Sequence, residues 1–389
     1  MPGYVGGQAL RTGQLEQARQ KYSEARAFWE RSSNVQARRG TTLALGAVYF
    51  GQAELYLAEA HYRQALHEAQ EHEDHLDMAA GHLGLARIFY AWNQLPQAEH
   101  AAHMAQEFGE QVADLEIQVQ AQLFLARLEI ARGENAQAKL RLIALLTRHS
   151  TLSPSDDGFL YRDVLLSQAQ LQLANCELTL AQHSLDDLMR LNDQRFPTFR
   201  EAVALSQVRL LLAQGEPQAA LHVLTILLPD AQAEGRLRQT LEIQILLALA
   251  NASQKHLPEA RRLLHAVLAQ ASAQDDLRLF LDEGKAMANL LQSSLPSIHE
   301  KAYRAFLRRV LLAFSAVSSS SQAPLLEPLT PQEQRVLHLL ASGHSNPEIA
   351  RELTVSINTV KVQVQSIYRK LNAHNRVEAS AIARLQGLM

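Results

Sequence analysis

The sequence predicts an all-α protein, a solenoid of helical hairpins followed by a C-terminal helix-turn-helix domain. Two observations support this fold class. Alanine recurs at intervals of 39 to 43 residues through most of the chain, each time shortly after a turn-forming residue. Residues 329–389 lack this repeat and instead carry closely spaced helix-start signals around apolar positions. We therefore expect two folded parts of different design.

The repeat becomes visible when the chain is compared with itself. The recurring alanines are Ala18, Ala58, Ala98, Ala138, Ala181, Ala220 and Ala260, separated by 40, 40, 40, 43, 39 and 40 residues. A second small residue often lies twelve residues earlier, as at Gly46, Ala86 and Ala126. Small residues at matched positions let paired helices touch, and stacking buries the apolar stripe that one hairpin leaves exposed. Residues 1–314 are thus predicted to form about seven stacked hairpins.

This array resembles tetratricopeptide repeats, although its period of about 40 residues exceeds the usual 34. The helices or their connections must therefore be longer than in that family. The stretch Lys301 to Phe314 is predicted to be the closing helix of the superhelix. Residues 315–328, which begin with a serine-rich run, are predicted to be a flexible linker.

The terminal domain can be interpreted helix by helix. Thr330, Pro331 and Glu333 fit an N-cap, a first helical position and a capping-box carboxylate. Gly343 fits the left-handed residue that commonly ends a helix. Asn346, with proline and glutamate after it, predicts the start of a second helix. The motif itself is expected at about residues 346–365.

Ser356 is predicted to cap the third helix of this domain. That helix would bury Val360, Ile367 and Leu371 and turn its polar and basic residues outward. In a helix-turn-helix, this exposed face can enter the major groove of DNA.

Residues 329–388 resemble the LuxR-type DNA-binding domain, a four-helix unit. The matching segments are Leu329-Thr330-Pro331-x-Glu333, Gly343-x-Ser345-Asn346-x-Glu348-Ile349-Ala350, Val355-Ser356-x-x-Thr359-Val360-Lys361, Lys370-Leu371, Asn375-Arg376 and Glu378-Ala379. The resemblance implies binding to double-stranded DNA as a homodimer, with Lys361, Val362 and Gln365 nearest the base edges. The predicted DNA-binding residues are Ser356, Asn358, Thr359, Lys361, Val362, Gln365, Arg369 and Lys370, and the predicted dimer contacts are Arg376, Ala379 and Ala383.

Two positions depart from the LuxR pattern. Gln363 stands where the family usually has histidine, and Ser366 stands where asparagine is frequent. Both side chains can still form hydrogen bonds. Val362 could contact a thymine methyl group, whereas Lys361 could reach guanine acceptors or a phosphate. The sequence leaves the two roles of Lys361 open.

Charge distinguishes the two parts of the chain. From residue 329 onward there are seven lysines and arginines against four carboxylates, whereas the whole chain has a net charge of −3. The first 328 residues therefore carry a net charge of −6. A basic terminal module on an acidic body is typical of a protein in which only one part contacts phosphate groups.

The order of the parts resembles the C-terminal portion of the large ATP-binding LuxR-family regulators of the maltose-activator group. We hypothesise that the repeats sense an effector, either a small molecule or a protein partner. No Gly-x-x-x-x-Gly-Lys-Ser/Thr phosphate loop occurs in this sequence. We therefore expect no ATPase activity from these residues, and the order of parts does not tell whether an upstream module exists elsewhere.

Other function classes fit less well. His67 and His72 superficially resemble a zinc-protease helix, but residues five apart diverge by about 140° around a helix. Cys176, the single cysteine, has no base near it in sequence and fits a reducing cytoplasm. Trp29, Trp92, Phe89 and Tyr90 are compatible with either core packing or a ligand groove. We expect no enzyme, metal, cofactor or membrane span, and the main alternative is a protein-interaction scaffold whose terminal module only dimerises.

Overall fold

The structure is a computed structural model that describes residues 9, 13–32, 34–148, 158–190, 197–320, 330–342 and 344–371. Within these residues every regular element is a helix. Two compact units are present, Met1–Val317 and Ser318–Met389. The predicted all-α class is confirmed. Among the described helices, none is both long and apolar enough to cross a membrane.

The first unit is an array of paired helices. Its helices are α1 (Leu15–Ser32), α2 (Val35–Gly51), α3 (Leu55–Glu71), α4 (His75–Ala91), α5 (Leu95–Gln111), α6 (Leu115–Arg132), α7 (Asn135–Arg148), α8 (Gly158–Ala174), α9 (Leu178–Arg190), α10 (Pro197–Gln214), α11 (Pro217–Ala233), α12 (Leu237–Ser253), α13 (Leu257–Gln274), α14 (Arg278–Leu281), α15 (Gly284–Ser294), a 3₁₀ turn (Leu295–Ser297) and α16 (Lys301–Ser320). Consecutive long helices pack side by side, as hairpin stacking requires.

The alanine repeat marks the points where helices meet most closely. All seven repeat alanines are completely buried. Five residues before each lies a residue with positive φ in a tight turn, at Gly13, Ala53, Asn93, Gly133, Cys176, Gly215 and Lys255. The left-handed turn ends one helix and reverses the chain, and the alanine then allows the next helix to pack closely. The predicted hairpin period is therefore present in the backbone itself.

A buried tyrosine shows why some small residues recur. Tyr62 on α3 lies against Gly46 on α2 and Gly84 on α4. A Cβ atom at Gly46 would lie 2.9 Å from the Tyr62 ring, and a Cβ at Gly84 would lie closer still. The ring fits because both neighbouring helices lack a side chain at the contact.

The closing helix is longer than the sequence predicted. Helix α16 covers Lys301–Ser320, so it continues six residues into the segment assigned to the linker. The Ser315 hydroxyl donates to the Leu311 carbonyl (3.2 Å), which satisfies the serine within the helix. Residues 321–328 of the predicted linker lie outside the described residues.

The second unit contains three described helices, α17 (Pro331–Ala341), α18 (Asn346–Glu352) and α19 (Ile357–Leu371). Their shared core consists of Val336, Leu337, Leu340, Ile349, Ala350, Val360, Val364 and Ile367. Val360 and Ile367 are buried as predicted. The predicted fourth helix and Gly343 lie outside the described residues, as does the side chain of Leu371.

Candidate nucleic-acid interface

Each helix of the second unit begins at a side chain that satisfies its first free amides. The Thr330 hydroxyl accepts from the Glu333 N–H (3.2 Å), and the Glu333 carboxylate accepts from the Thr330 N–H (2.7 Å). This is the predicted capping box of α17. The Ser356 hydroxyl accepts from the Thr359 N–H (3.1 Å), which confirms Ser356 as the cap of α19.

The N-cap of α18 is Ser345, one residue before the Asn346 that the sequence predicted as the start of this helix. Asn346 is already the first helical residue. The Glu348 carboxylate accepts from both the N–H and the hydroxyl of Ser345, each at 2.7 Å. These hydrogen bonds lower the pKa of Glu348. The charged carboxylate is therefore favoured at the positive end of α18.

Glu333 connects the first helix of the unit to the third. Besides closing the capping box, its carboxylate accepts from the Ser366 hydroxyl (2.7 Å) and from Lys370 Nζ (2.8 Å). Burial opposes the ionisation of Glu333, but the hydrogen bonds from Lys370, Thr330 and Ser366 outweigh it and hold the pKa of Glu333 at about 2. The carboxylate therefore fixes α19 against the start of α17 in its charged form.

The prediction that Lys370 faces DNA is wrong. Only 8% of its surface is exposed, and its ammonium group forms an ion pair with the equally buried Glu333. The buried Glu333 carboxylate compensates the buried lysine charge, which would be costly without a partner. Ser366 and Lys370, four residues apart on α19, lie on one helix face and reach the same carboxylate. That spacing was the only sequence signal for this pairing.

A different face of α19 carries three side chains for which no such contact is found among the described residues. Lys361, Val362 and Gln365 are exposed, with 61% of the Val362 surface accessible. They lie one and four residues apart and so share one side of the helix. Val360, Val364 and Ile367 face the core. The resulting surface combines an ammonium, an aliphatic group and an amide, which can contact phosphates or guanine, a thymine methyl group and adenine respectively.

The remaining predicted contacts lie near the start of α19. Ser356, Asn358 and Thr359 are exposed. The hydroxyls of Ser356 and Thr359 are hydrogen-bonded to each other at 2.8 Å. The side chain of Arg369 lies outside the described residues, and so do the predicted dimer contacts Arg376, Ala379 and Ala383.

The two departures from the LuxR pattern are both half-buried. Ser366 donates to Glu333, as described above, and is therefore part of the unit's interior bonding. The side-chain oxygen of Gln363 is buried and has no hydrogen-bond partner among the described residues. Lys361, Val362 and Gln365 are thus the residues of the predicted set, between 361 and 370, whose described side chains face outward.

Comparison with known families agrees with this division into two units. The family described as the MalT-like TPR region, where TPR denotes tetratricopeptide repeat, matches residues 3–296. That span is well over half of the chain. This chain belongs to the MalT-like TPR family. Residues 327–383 match the family of bacterial regulatory proteins of the luxR type, so the second unit is a LuxR-type helix-turn-helix domain.

Individual MalT-like relatives match both units together. The HTH-type transcriptional regulator MalT of Serratia proteamaculans (strain 568) is 27% identical over 368 residues. The protein of the same name in Yersinia pestis (strain Pestoides F) is 26% identical over 368 residues. Each match covers 84% of this chain and 39% of the relative. The chain therefore spans less than half the length of these MalT relatives.

A solved structure shows a similar fold. The crystal structure of Rap protein complexed with Competence and Sporulation Factor aligns with a TM-score of 0.52 and 13% sequence identity. The alignment covers 82% of this MalT-like chain and 100% of that chain. At this identity the likeness concerns the helical architecture alone.

Proposed function

We propose that this protein is a transcriptional regulator that binds double-stranded DNA by inserting α19 into the major groove. The proposal rests on the different environments of two faces of α19. One face is fixed to the unit through Ser366 and Lys370, which bind Glu333. The other presents Lys361, Val362 and Gln365 to solvent. A rigidly held helix with a small polar and aliphatic face is what direct base readout requires.

The relatives support the same function at a coarser level. The MalT proteins are named HTH-type transcriptional regulators, and their similarity extends over both units of this chain. The net charge of +3 from residue 329 onward adds attraction to phosphate. We further propose that the domain binds as a homodimer through the segment containing Arg376, Ala379 and Ala383, and that the repeats receive a small-molecule or protein effector.

The test uses the full chain and a duplex obtained by selecting bound genomic fragments. Lys361→Ala should weaken binding, because one cationic contact is lost. If Lys361 contacts phosphate, the slope of log affinity against log salt should fall by about 1. If it contacts guanine, discrimination at one base pair should fall by about 1–3 kcal/mol. Lys301→Ala, an exposed lysine of the repeat unit, is the matched control.

Two results would contradict the proposal. One is equal affinity for the wild type and Lys361→Ala. The other is the absence of saturable duplex binding at low salt, which is what a scaffold with a purely dimerising terminal module would show.

Dimerisation has its own test. Sedimentation of the full chain with Ala379→Glu and Ala383→Glu should show a shift from dimer to monomer, because buried carboxylates oppose association. A wild-type chain that sediments as a monomer both free and on DNA would exclude the homodimer.

A further inference from the structure

The repeat array touches itself between segments that are far apart in sequence. The joining contacts are the Leu15 N–H to the Glu234 carbonyl (3.0 Å), the Arg238 guanidinium over the Phe50 ring (4.7 Å), the Tyr56 hydroxyl to Asp275 (3.2 Å) and the Trp92 indole N–H to the Gln274 carbonyl (2.9 Å). The starts of α1 and α3 and the ends of α2 and α4 thus meet the start of α12, the turn before it and the end of α13. The array forms a ring that closes on its own beginning.

Residues Gln274–Glu283, which we call the latch segment, lie at the centre of this closure. The segment leaves α13 through Asp275, whose φ is 54°, and includes the short helix α14. Its four carboxylates each pair with an arginine from a different helix. The pairs are Asp275 with Arg309 of α16 (2.7 Å), Asp276 with Arg238 of α12 (3.1 Å), Asp282 with Arg127 of α6 (3.0 Å) and Glu283 with Arg209 of α10.

Asp282 forms the most connected of these contacts. It accepts hydrogen bonds from the Tyr90 hydroxyl (2.9 Å), Arg127 (3.0 Å) and Arg278 (3.2 Å). Both guanidinium groups also lie over the Tyr90 ring, at 4.6 and 4.8 Å from its centroid. Burial opposes the ionisation of Asp282, but Arg127 and Arg278 keep its pKa below the usual value. One carboxylate therefore ties α4 and α6 to the latch segment.

Burial destabilises several charged groups of the latch segment. Arg278 is 3% exposed, yet its Nε and Nη2 groups have no hydrogen-bond partner among the described residues. Burial raises the pKa of Asp276 and of Glu283, although Arg238 and Arg209 act in the opposite direction. Desolvation thus consumes much of the attraction between these charges. Of the four ion pairs, that of Asp282 with Arg127 joins the latch segment to the first three hairpins, so loss of Asp282 should shift the closure measurably.

We propose that the latch segment holds the array in a closed form and that the array has a second, open form in which the first three hairpins leave the segment. In the open form Tyr90 and Arg127 lose their shared partner Asp282, which keeps its bond to Arg278 within the latch segment. A ligand that binds one form more tightly than the other would shift the equilibrium towards that form, by at most the ratio of its two affinities. The proposal concerns the repeat unit alone and does not depend on DNA binding.

A disulfide can report on the closure directly. A Cβ atom at Gly235 would lie 3.7 Å from the Cβ of Glu16, and disulfides span about 3.5–4.5 Å between Cβ atoms. The variant Glu16→Cys/Gly235→Cys, with the exposed Cys176→Ser to remove a competing thiol, should form this cross-link on mild oxidation. Adding Asp282→Ala should slow its formation by at least about two- to tenfold, because loss of each hydrogen bond contributes that factor and those from Tyr90 and Arg127 are both removed.

Tyr90→Phe is the milder companion variant, because it removes the hydroxyl and keeps the ring under the two arginines. Asp187→Ala is the matched control, since it removes an exposed carboxylate paired with Arg190 within α9. We expect slower cross-linking and a larger radius of gyration in X-ray scattering for Tyr90→Phe, and no change for Asp187→Ala.

Two outcomes would overturn the proposal. Failure of the cysteine pair to cross-link would exclude the closed ring, provided that helical circular dichroism shows the variant to be folded with cysteine at residue 235, where φ is 72°. Wild-type cross-linking rates and dimensions in both Tyr90→Phe and a helical, folded Asp282→Ala would exclude the latch. If Asp282→Ala loses its helical circular dichroism, Tyr90→Phe alone decides between the two results.

Discussion

Glu333 determines how the DNA-facing helix is held. Its carboxylate is the capping group of α17 and also the acceptor for Ser366 and Lys370 of α19. Since Lys370 is itself buried, the pair satisfies two charges that would each be costly alone. The exposed position of Lys361 is therefore a consequence of an interaction on the opposite side of the same helix.

We predict that Glu333→Ala destabilises the second unit by about 3–5 kcal/mol, because Lys370 is left buried and unpaired. Hydrogen exchange of the α17 and α19 amides in the full chain measures this. Glu352→Ala, which removes an exposed carboxylate of the same unit, should change exchange by no more than about 0.5 kcal/mol. Equal effects of the two substitutions would show that the buried pair contributes little.

The pKa of Glu333 predicts a pH dependence. Its folded pKa of about 2 lies below the value of about 4.3 expected when unfolded. The stabilisation is thus fully present above about pH 4.3 and is lost as the pH falls towards 2, by at most about 1.4 kcal/mol per pH unit.

The measurement is α17 and α19 amide exchange between pH 6 and 3, corrected for intrinsic rates. Glu333→Gln removes the titrating group, so its exchange should depend less on pH over this range. A Glu333→Gln profile that falls as steeply as the wild type would assign the acid sensitivity to other carboxylates.

At the scale of elements, the packing of α2, α3 and α4 depends on the absence of a side chain at two glycines. Tyr62 occupies the space that side chains at Gly46 and Gly84 would fill. Burial raises the pKa of Tyr62 to about 12, in keeping with its position between the helices. The contact explains why glycine occupies both positions that face the Tyr62 ring.

Gly84→Ala should therefore lower the thermal unfolding midpoint, with a cost of about 1–3 kcal/mol typical of overpacking. Gly40 offers a matched control, because it is also in a helix but a Cβ there would meet no atom within 4 Å. Gly40→Ala should raise the midpoint, because alanine stabilises a helix by about 0.5–1 kcal/mol relative to glycine. If Gly84→Ala is as stable as Gly40→Ala, Tyr62 can move aside and the packing argument fails.

The elements most accurately predicted from sequence are those fixed by neighbouring residues. The turn residue and buried alanine of each hairpin lie five positions apart, and the cap of α17 spans three. Lys370 was misassigned because its partner Glu333 is 37 positions away. The contact between Tyr90 and Asp282 spans 192 positions and had no local signal. Pairing across such distances depends on the curvature of the whole array, which no single repeat specifies.

At the scale of the whole molecule, closure changes how the repeat array should respond to damage. In an open solenoid each repeat contacts only its neighbours, so a perturbation weakens with distance along the chain. Here α4 contacts both its neighbours and the latch segment, through Tyr90 and Trp92. The beginning of the array and the latch segment near its end are consequently neighbours. The helices farthest from this junction are those in the middle of the array.

Hydrogen exchange across the repeat unit of Gly84→Ala tests this connection. We expect faster exchange in α3 and α4 and also in the latch segment Gln274–Glu283, while α8 and α9 keep their protection. Adding Asp282→Ala should reduce the difference in the latch segment between chains with and without Gly84→Ala, because the contact through Tyr90 is already broken and only that through Trp92 is left of the two. Gly40→Ala should leave the latch segment unchanged. A loss of protection that instead declines steadily from α4 through α8 to α13 would mean that the array behaves as an open solenoid in solution.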